Sequence, residues 1–127
     1  MIGYVTLGTN DMAQSAKFYD KIAEAMGIPR MMGSEQDGFI AWGTMEVAGL
    51  GITKPFDGNA ASVGNGVMVA LQVDGPDAVK KIYDIALSNG GTDEGPPGPR
   101  GDSGFYAGYF RDLDGNKLNV FCMSAPG

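Results

Sequence analysis

"GYVTLGTNDMAQSAKFYD", residues 3–20, changes from the alternating pattern of a β-strand to the spacing of an amphipathic helix. Asp11, followed by Gln14, predicts a helix N-cap with a capping box. Apolar residues then recur at helical spacing until Gly27, which predicts the end of the helix. Strand candidates follow at about 30–34, 38–43 and 47–54. This region, about residues 1–55, therefore predicts a strand–helix–three-strand module.

The same order of elements then occurs a second time. A strand pattern at 67–74 is followed by a helix pattern at 76–89, which begins near a proline and ends before two glycines. Strand candidates follow at about 92–94, 104–111 and 117–123. "KFYD" at 17–20 matches "KIYD" at 81–84 at an offset of 64 residues, and later strands match at an offset of 68. We interpret this as an internal duplication within one domain, residues 1–127, with a linker at about 55–65 and a second module at 66–127.

Composition excludes several classes of function. Nine Lys and Arg residues against fifteen Asp and Glu residues give a net charge of −6, which argues against nucleic-acid binding. No signal peptide pattern and no membrane-spanning apolar run is visible, and Cys122 is the only cysteine, so we expect a cytoplasmic protein. The chain has no histidine, which removes the commonest metal ligand and general base.

Strand alternation assigns the side chains to two kinds of sheet face. Aliphatic faces hold Val5 and Leu7 in the first strand, and Leu118, Val120 and Cys122 in the last strand. We expect these faces to pack under the two helices, with Cys122 as a buried thiol. The opposite, mixed faces hold Tyr4, Thr6, Met68, Ala70, Gln72, Asn119, Phe121 and Met123. A concave surface with a few polar groups among aromatic and Met side chains is typical of small-molecule sites.

Four stretches together resemble the vicinal oxygen chelate superfamily, of the glyoxalase and bleomycin-resistance type. They are "GYVTLGTNDMAQSAKFYD", "GNGVMVAL", "GGTDEGPPGPR" and "GYFRDLDGNKLNVF", and the resemblance covers essentially the whole chain. It implies an α+β fold in which two βαβββ modules form an open eight-stranded mixed barrel. It also implies a homodimer that shares strands or completes its sites across the interface.

The resemblance also implies where a metal would be bound. Metal-dependent members of the superfamily usually place a His on the first strand of a module and a Glu on the last strand. The matching positions here hold Tyr4, Met68, Asn119 and, approximately, Gly51. None of these side chains is a good ligand for a divalent transition metal. We therefore predict no metal site and no cofactor.

Seven residues are candidates for ligand contact on the predicted cup: Tyr4, Trp42, Met68, Arg100, Tyr109, Asn119 and Phe121. Asn119 is either a ligand-recognising amide or a core Asn bonded to backbone or water. Tyr4 is also a weak candidate for a catalytic acid–base group, whereas barrel filling is favoured for Met68. Arg100 lies in "GPPGPRGDSG", predicted to be an extended loop, and is either a clamp for an anionic group or a solvated surface residue.

"DLDGNK", residues 112–117, resembles the beginning of a calcium-binding loop. It lacks the acidic residue that such a loop carries at its twelfth position, and a strand pattern follows. We therefore predict a hairpin turn here.

Three functions remain open on the sequence alone. The first is a protein of the sequestering or resistance type that binds a small molecule in the cup without the superfamily's usual metal site. The second is a lyase, isomerase or dioxygenase that uses non-standard metal ligands or Tyr4. The third is a degenerate module whose cup is filled by its own side chains and which acts only through dimer contacts.

Overall fold

The computed structural model of the chain describes residues 1–123, which fall into two compact units. The first unit is Met1–Gly64, and the second unit begins at Asn65. The first unit contains β1 (Tyr4–Gly8), α1 (Met12–Met26), β2 (Arg30–Ser34), β3 (Phe39–Trp42) and β4 (Gly49–Thr53). The second unit contains β5 (Val69–Gln72), α2 (Pro76–Ser88), β6 (Thr92–Pro99), β7 (Tyr106–Arg111) and β8 (Lys117–Cys122).

The first unit is a four-stranded mixed sheet in the order β1-β4-β3-β2, with α1 packed on one face. β1 runs parallel to β4, and the other two strand pairs are antiparallel. Leu7, Ile40 and Ile52 lie side by side across three strands and are at most 6% exposed. The predicted helix ends are confirmed, because Asp11 accepts a hydrogen bond from the Gln14 N–H at 3.1 Å and Gly27 has the left-handed φ of 72°.

The second unit repeats this arrangement in the order β5-β8-β7-β6, with α2 packed on one face. α2 begins at Pro76. An N–H group at the first position of a helix has no intrahelical partner, so a proline there costs no hydrogen bond. Leu118, Val120 and Cys122 on β8 are fully buried, as the aliphatic pattern predicts. The burial of the Cys122 thiol is thereby confirmed.

Strand register supports the internal duplication. Gly51 lies opposite Thr6 on one neighbouring strand and opposite Ala41 on the other. Asn119 lies in the same way opposite Ala70 and Tyr109. The offset of 64 residues relates Thr6 to Ala70, and the offset of 68 residues relates Ala41 to Tyr109 and Gly51 to Asn119. Gly51 and Asn119 are therefore equivalent positions of the two units.

The α+β class with two βαβββ modules, each built on a mixed sheet, is confirmed. Their association into one eight-stranded barrel stays a prediction. The predicted end of α2 is off by one residue, because the helix ends at Ser88 rather than at Asn89. Within residues 1–123, neither helix has both the length and the apolar character that crossing a membrane requires.

The segment after α2 differs from the prediction. Residues 95–99 were expected to lie in an extended loop, but β6 continues through them to Pro99 and pairs with β7. β6 is an edge strand, and its pairing shifts register twice, between Asp93 and Gly95 and again between Gly95 and Gly98. Prolines are tolerated on an edge strand with bulges, because their missing N–H groups face away from the ladder.

Candidate functional site

The sheet of the second unit carries a buried polar side chain on the face that α2 does not cover. A Cβ on Gly108 would meet the Tyr83 ring of α2 at 3.2 Å, so Gly108 and its partner Val120 face the helix. Alternation then directs Asn119 to the opposite face. Asn119 is 2% exposed, and among residues 1–123 its Oδ1 is the one buried side-chain N or O atom without a hydrogen-bond partner. Such an unsatisfied group costs about 1–3 kcal/mol.

The neighbours of Asn119 on this face come from both adjoining strands. Tyr109 lies directly opposite on β7 and Ala70 directly opposite on β5. Lys117 and Phe121 lie two residues away along β8 and share its face. We call these five residues the Asn119 face. At one end of it the rings of Phe121 and Phe105 are 5.5 Å apart between centroids.

Two cations lie against the ring of Tyr109. The Arg100 guanidinium carbon is 5.4 Å from the ring centroid, and the Lys117 ammonium nitrogen is 5.6 Å from it. Both distances are within the range of cation–π interactions. The ion pairs among the described residues are Arg30–Asp20 and Arg111–Glu94. Arg100 and Lys117 thus lack a carboxylate partner in that part of the chain.

Backbone carbonyl groups hold Arg100 in place. Its guanidinium donates to the oxygens of Pro96 at 2.7 Å, Gly98 at 2.8 Å and Pro99 at 3.4 Å. A Cβ would lie 3.3 Å from Nη2 at Gly95 and 3.2 Å from Nη1 at Gly98. Gly95 and Gly98 therefore leave room for this side chain. Arg100 belongs to a fixed structure rather than to a freely solvated surface.

A second polar contact fixes β6 against α2. The Tyr83 hydroxyl donates to Oδ1 of Asp93 at 2.6 Å, and that oxygen also accepts the Gly95 N–H at 2.8 Å. Burial, together with the Asp93 carboxylate, raises the pKa of Tyr83 to about 12. The hydrogen bonds from Tyr83 and Gly95 lower the pKa of Asp93 below its usual value. This contact positions the strand that leads to Arg100.

The Tyr83 contact predicts an alkaline dependence of stability. A hydroxyl with a raised pKa stabilises the fold fully below pH 10, its ordinary pKa, and this contribution is lost as the pH rises through about 12. We expect ultraviolet titration to show a late-ionising tyrosine signal that decreases by one tyrosine in Tyr83→Phe. Unfolding measured between these pH values should depend less on pH in the variant. A late-ionising signal of unchanged size in Tyr83→Phe would contradict this assignment.

The predicted position of Trp42 on the cup face is wrong. Trp42 is 4% exposed and lies on the α1 side of its sheet, where its ring centroid is 5.7 Å from that of Tyr19. Its indole N–H donates to Asp20 at 2.9 Å, and Arg30 lies over its ring at 5.9 Å. The residue directly before it in the alternation, Ala41, occupies the other face beside Gly51. Trp42 is a core residue of the first unit.

Tyr4 and Met68 are not among the strand partners of Asn119. Tyr4 belongs to the first unit, lies opposite Gly49 on β4 and is 67% exposed. Met68 precedes β5 and is 41% exposed. The β5 residue beside Asn119 is Ala70 rather than Met68. Of the seven candidates, the structure brings four together: Arg100, Tyr109, Asn119 and Phe121.

The turn before β8 is a hairpin turn, as predicted. The Asp112 carboxylate accepts the backbone N–H groups of Asp114 and Asn116, each at 2.9 Å, and the Asn116 side-chain amide at 3.0 Å. Arg111 on β7 pairs with Lys117 on β8 across the turn. The Asp112 carboxylate therefore accepts hydrogen bonds from within its own turn, which is typical of an Asx turn rather than of a calcium site.

Comparison with known proteins assigns the family. A model of the Glyoxalase/Bleomycin resistance protein/Dioxygenase superfamily matches residues 1–120. The chain belongs to this superfamily. The resemblance seen in the sequence is thereby confirmed. Among curated proteins, the comparison gives no match.

Solved structures of superfamily members agree with this assignment. A glyoxalase/bleomycin resistance protein from Albidiferax ferrireducens T118 is 32% identical, with 96% of this chain and 98% of that chain covered and a TM-score of 0.86. A glyoxalase/bleomycin resistance protein/dioxygenase family enzyme from Burkholderia phytofirmans PsJN is 18% identical, with 95% and 97% covered and a TM-score of 0.75. A glyoxalase-related enzyme from Fulvimarina pelagi is 22% identical, with 96% and 87% covered and a TM-score of 0.73. The last two show the superfamily fold alone.

The positions at which metal-dependent superfamily members hold their metal carry an unsuitable donor set here. Gly51 has no side chain, and a Cβ there would lie 2.9 Å from the Phe39 ring. Asn119 offers a neutral amide, Tyr4 a phenol and Met68 a thioether, all weak donors for a hard or borderline divalent ion. Within residues 1–123, no three or more His, Cys, Asp or Glu side chains are grouped to hold a metal. The residues present do not fit the superfamily's usual metal, and the absence of a cofactor stays a prediction.

Sequence reasoning missed Lys117. It was assigned to the last strand but not to the candidate ligand contacts, although it lies two positions before Asn119 on that strand. That spacing puts both side chains on one face and was a sufficient signal. The contact between Lys117 and Tyr109 was not visible, because it depends on the register of β7 against β8.

Proposed function

We propose that this superfamily member binds a small molecule on the Asn119 face, without a metal ion at the superfamily's usual positions. The observation that carries the proposal is the buried Oδ1 of Asn119, which lacks a donor among the described residues. A bound molecule with an O–H or N–H group supplies that donor. The ligand thereby removes a cost of about 1–3 kcal/mol from the folded protein.

The surroundings of Asn119 support a binding role over simple core filling. Tyr109 and Phe121 supply aromatic surface on either side, and Ala70 leaves space beside the amide because its side chain is a single methyl group. Small-molecule sites commonly combine apolar and aromatic walls with a few polar groups that fix orientation. Since Oδ1 is fully covered, binding includes a rearrangement of side chains over it, and the long chain of Lys117 is suited to that movement.

A ligand screen tests this function directly. Thermal unfolding of the wild-type protein is measured against a library of small hydroxyl and amide compounds, with Asn119→Leu in parallel. A ligand that binds only the folded state at about 100 times its Kd adds about 2.7 kcal/mol of stability. We expect compounds that stabilise the wild-type protein but not the variant. A library in which every stabilising compound acts equally on both proteins would place binding elsewhere.

Metal removal gives a separate prediction. We expect protein purified without chelator to contain divalent metal far below one ion per chain, because the donor set is unsuitable. EDTA should leave the thermal midpoint unchanged, since a structural metal would contribute folding energy. Elemental analysis before and after EDTA treatment checks both points. Stoichiometric metal whose loss lowers the midpoint would favour a metal-dependent lyase, isomerase or dioxygenase instead.

Assembly and location stay predictions. The homodimer follows from the resemblance to the superfamily, and analytical ultracentrifugation measures it directly. The cytoplasmic location is an expectation that rests on the single cysteine.

A further inference from the structure

We infer that the ligand of the Asn119 face is a small organic acid that carries a hydroxyl or amide donor apart from its anionic group. The anionic group lies at Arg100 and Lys117, and the donor bonds Oδ1 of Asn119. This inference rests on the proposed function and names the chemical class of its ligand.

The charge of the site carries the first step. The chain has a net charge of −6, yet Arg100 and Lys117 flank one tyrosine ring without a carboxylate partner among the described residues. Nearby, Glu94 is already paired with Arg111, and Asp93 accepts bonds from Tyr83 and Gly95. Two cations that each lie within about 6 Å of the same ring centroid, without a counter-charge, repel each other, and an anion bound near them offsets that repulsion.

The fixed position of Arg100 carries the second step. Its contacts with the carbonyl oxygens of Pro96, Gly98 and Pro99 use three of the five N–H donors of a guanidinium. The remaining donors are suited to an anionic oxygen, for which a planar guanidinium is the preferred partner.

Strand geometry sets the size of the ligand. Lys117 and Asn119 are two residues apart on one strand, which separates their Cβ atoms by about 7 Å. Tyr109 lies beside Asn119 at about 5 Å between Cβ atoms, and its ring is the surface between the amide and both cations. A flat molecule with its donor and its anionic group at opposite ends matches this arrangement. Two ends of one small ligand can therefore reach the amide and the cations together.

Three matched probes separate the contribution of the anionic group from that of the hydrogen-bond donor. 4-Hydroxybenzoate has both groups, benzoate lacks the donor, and 4-hydroxybenzamide keeps the donor but lacks the charge. Isothermal titration calorimetry should show that 4-hydroxybenzoate binds at least about tenfold more tightly than either analogue, because a charged hydrogen bond and a buried amide contact are each worth that much. Its affinity should also fall as salt is added.

Matched variants connect this binding to the two cations. Lys117→Met should weaken 4-hydroxybenzoate about tenfold, whereas Lys80→Met, a change at an exposed lysine of α2, should leave it unchanged. Among residues 1–123, the Lys117 side chain makes a cation–π contact with Tyr109 and no side-chain hydrogen bond, so the variant is expected to fold. Arg100→Gln provides a second test, with circular dichroism and thermal unfolding confirming the fold.

Each other outcome decides against the inference in a distinguishable way. Equal binding of the acid and the amide would overturn the anionic class while leaving the proposed function in place. Binding that is weakened by Lys117→Met but not by Asn119→Leu would overturn the inference that the ligand also donates a hydrogen bond to Asn119. Inorganic phosphate that binds as tightly as 4-hydroxybenzoate would overturn it in the same way. If none of the three probes binds, the inference is wrong, and the library screen decides the proposed function separately.

Discussion

Asn119→Leu is expected to raise the stability of the ligand-free protein by about 1–2 kcal/mol while abolishing ligand binding. The variant removes a buried acceptor that lacks a donor, and it substitutes a side chain of similar size. Its thermal midpoint should rise by about 3–5 °C for each kcal/mol in a chain of this length. Denaturant unfolding and calorimetry without ligand measure the change. Binding sites commonly reduce stability in this way.

A second asparagine provides the control of opposite sign. Asn116 is also buried, at 9% exposure, but its amide donates to Asp112 in the hairpin turn. Asn116→Leu breaks that contact and should destabilise the protein by about 1–3 kcal/mol. The same substitution in one chain should therefore stabilise at one position and destabilise at the other. If Asn119→Leu also destabilises, the amide is satisfied within the protein, and the degenerate-module alternative gains support.

Asp20→Ala is expected to destabilise the protein by about 2–3 kcal/mol. Asp20 accepts the indole N–H of Trp42 at 2.9 Å and two hydrogen bonds from Arg30, at 2.9 and 2.7 Å. The side chains of Asp20 and Arg30 are 40% and 43% exposed, so solvent weakens their ion pair. The main cost is the indole N–H of Trp42, which is left buried without an acceptor. Denaturant unfolding at neutral pH measures this cost.

The duplication supplies a matched control for this substitution. Asp84 is the counterpart of Asp20 in the second unit, and it is exposed. Asp84→Ala should change stability by no more than about 0.5 kcal/mol. Equal effects of the two substitutions would contradict the importance of the Trp42 contact.

Acid unfolding gives an independent check on Asp20. The hydrogen bond from Arg30 is the largest cause of its lowered pKa, and Trp42 adds to it. A carboxyl with a lowered pKa stabilises the fold above its ordinary pKa of 3.8, and the contribution is lost as the pH falls below that value. Asp20→Ala should therefore differ most from the wild-type protein at neutral pH and least in strong acid.

The sequence was sufficient for the fold because its signals are local or repeated. The cap at Asp11, the stop at Gly27 and the matched "KFYD" and "KIYD" segments depend on neighbours along the chain. The position of Asn119 also followed, since alternation along one strand decides its face. The resemblance to the superfamily agreed with these readings at every element.

The site was less predictable because it depends on contacts between strands. Trp42 was assigned to the wrong face, since an aromatic residue suits either a core or a binding surface and only its bond to Asp20 separates the two. The strand predicted at 92–94 was too short, because Pro96, Pro97 and Pro99 argue against a central strand. The position of β6 at the edge of the sheet was not visible in the sequence. The contact of Lys117 with Tyr109 depended on the register of two strands.

The three carbonyl contacts of Arg100 have a consequence for conformational entropy. A free arginine side chain loses up to about 2 kcal/mol of rotamer freedom when a ligand immobilises it. Here the carbonyl groups of Pro96, Gly98 and Pro99 impose that loss during folding. Under the proposed function, association would meet a guanidinium that is already in position, so more of the contact energy would be retained as affinity. Gly98 contributes to this preorganisation, because its carbonyl oxygen accepts from the guanidinium and a Cβ on it would lie 3.2 Å from Nη1.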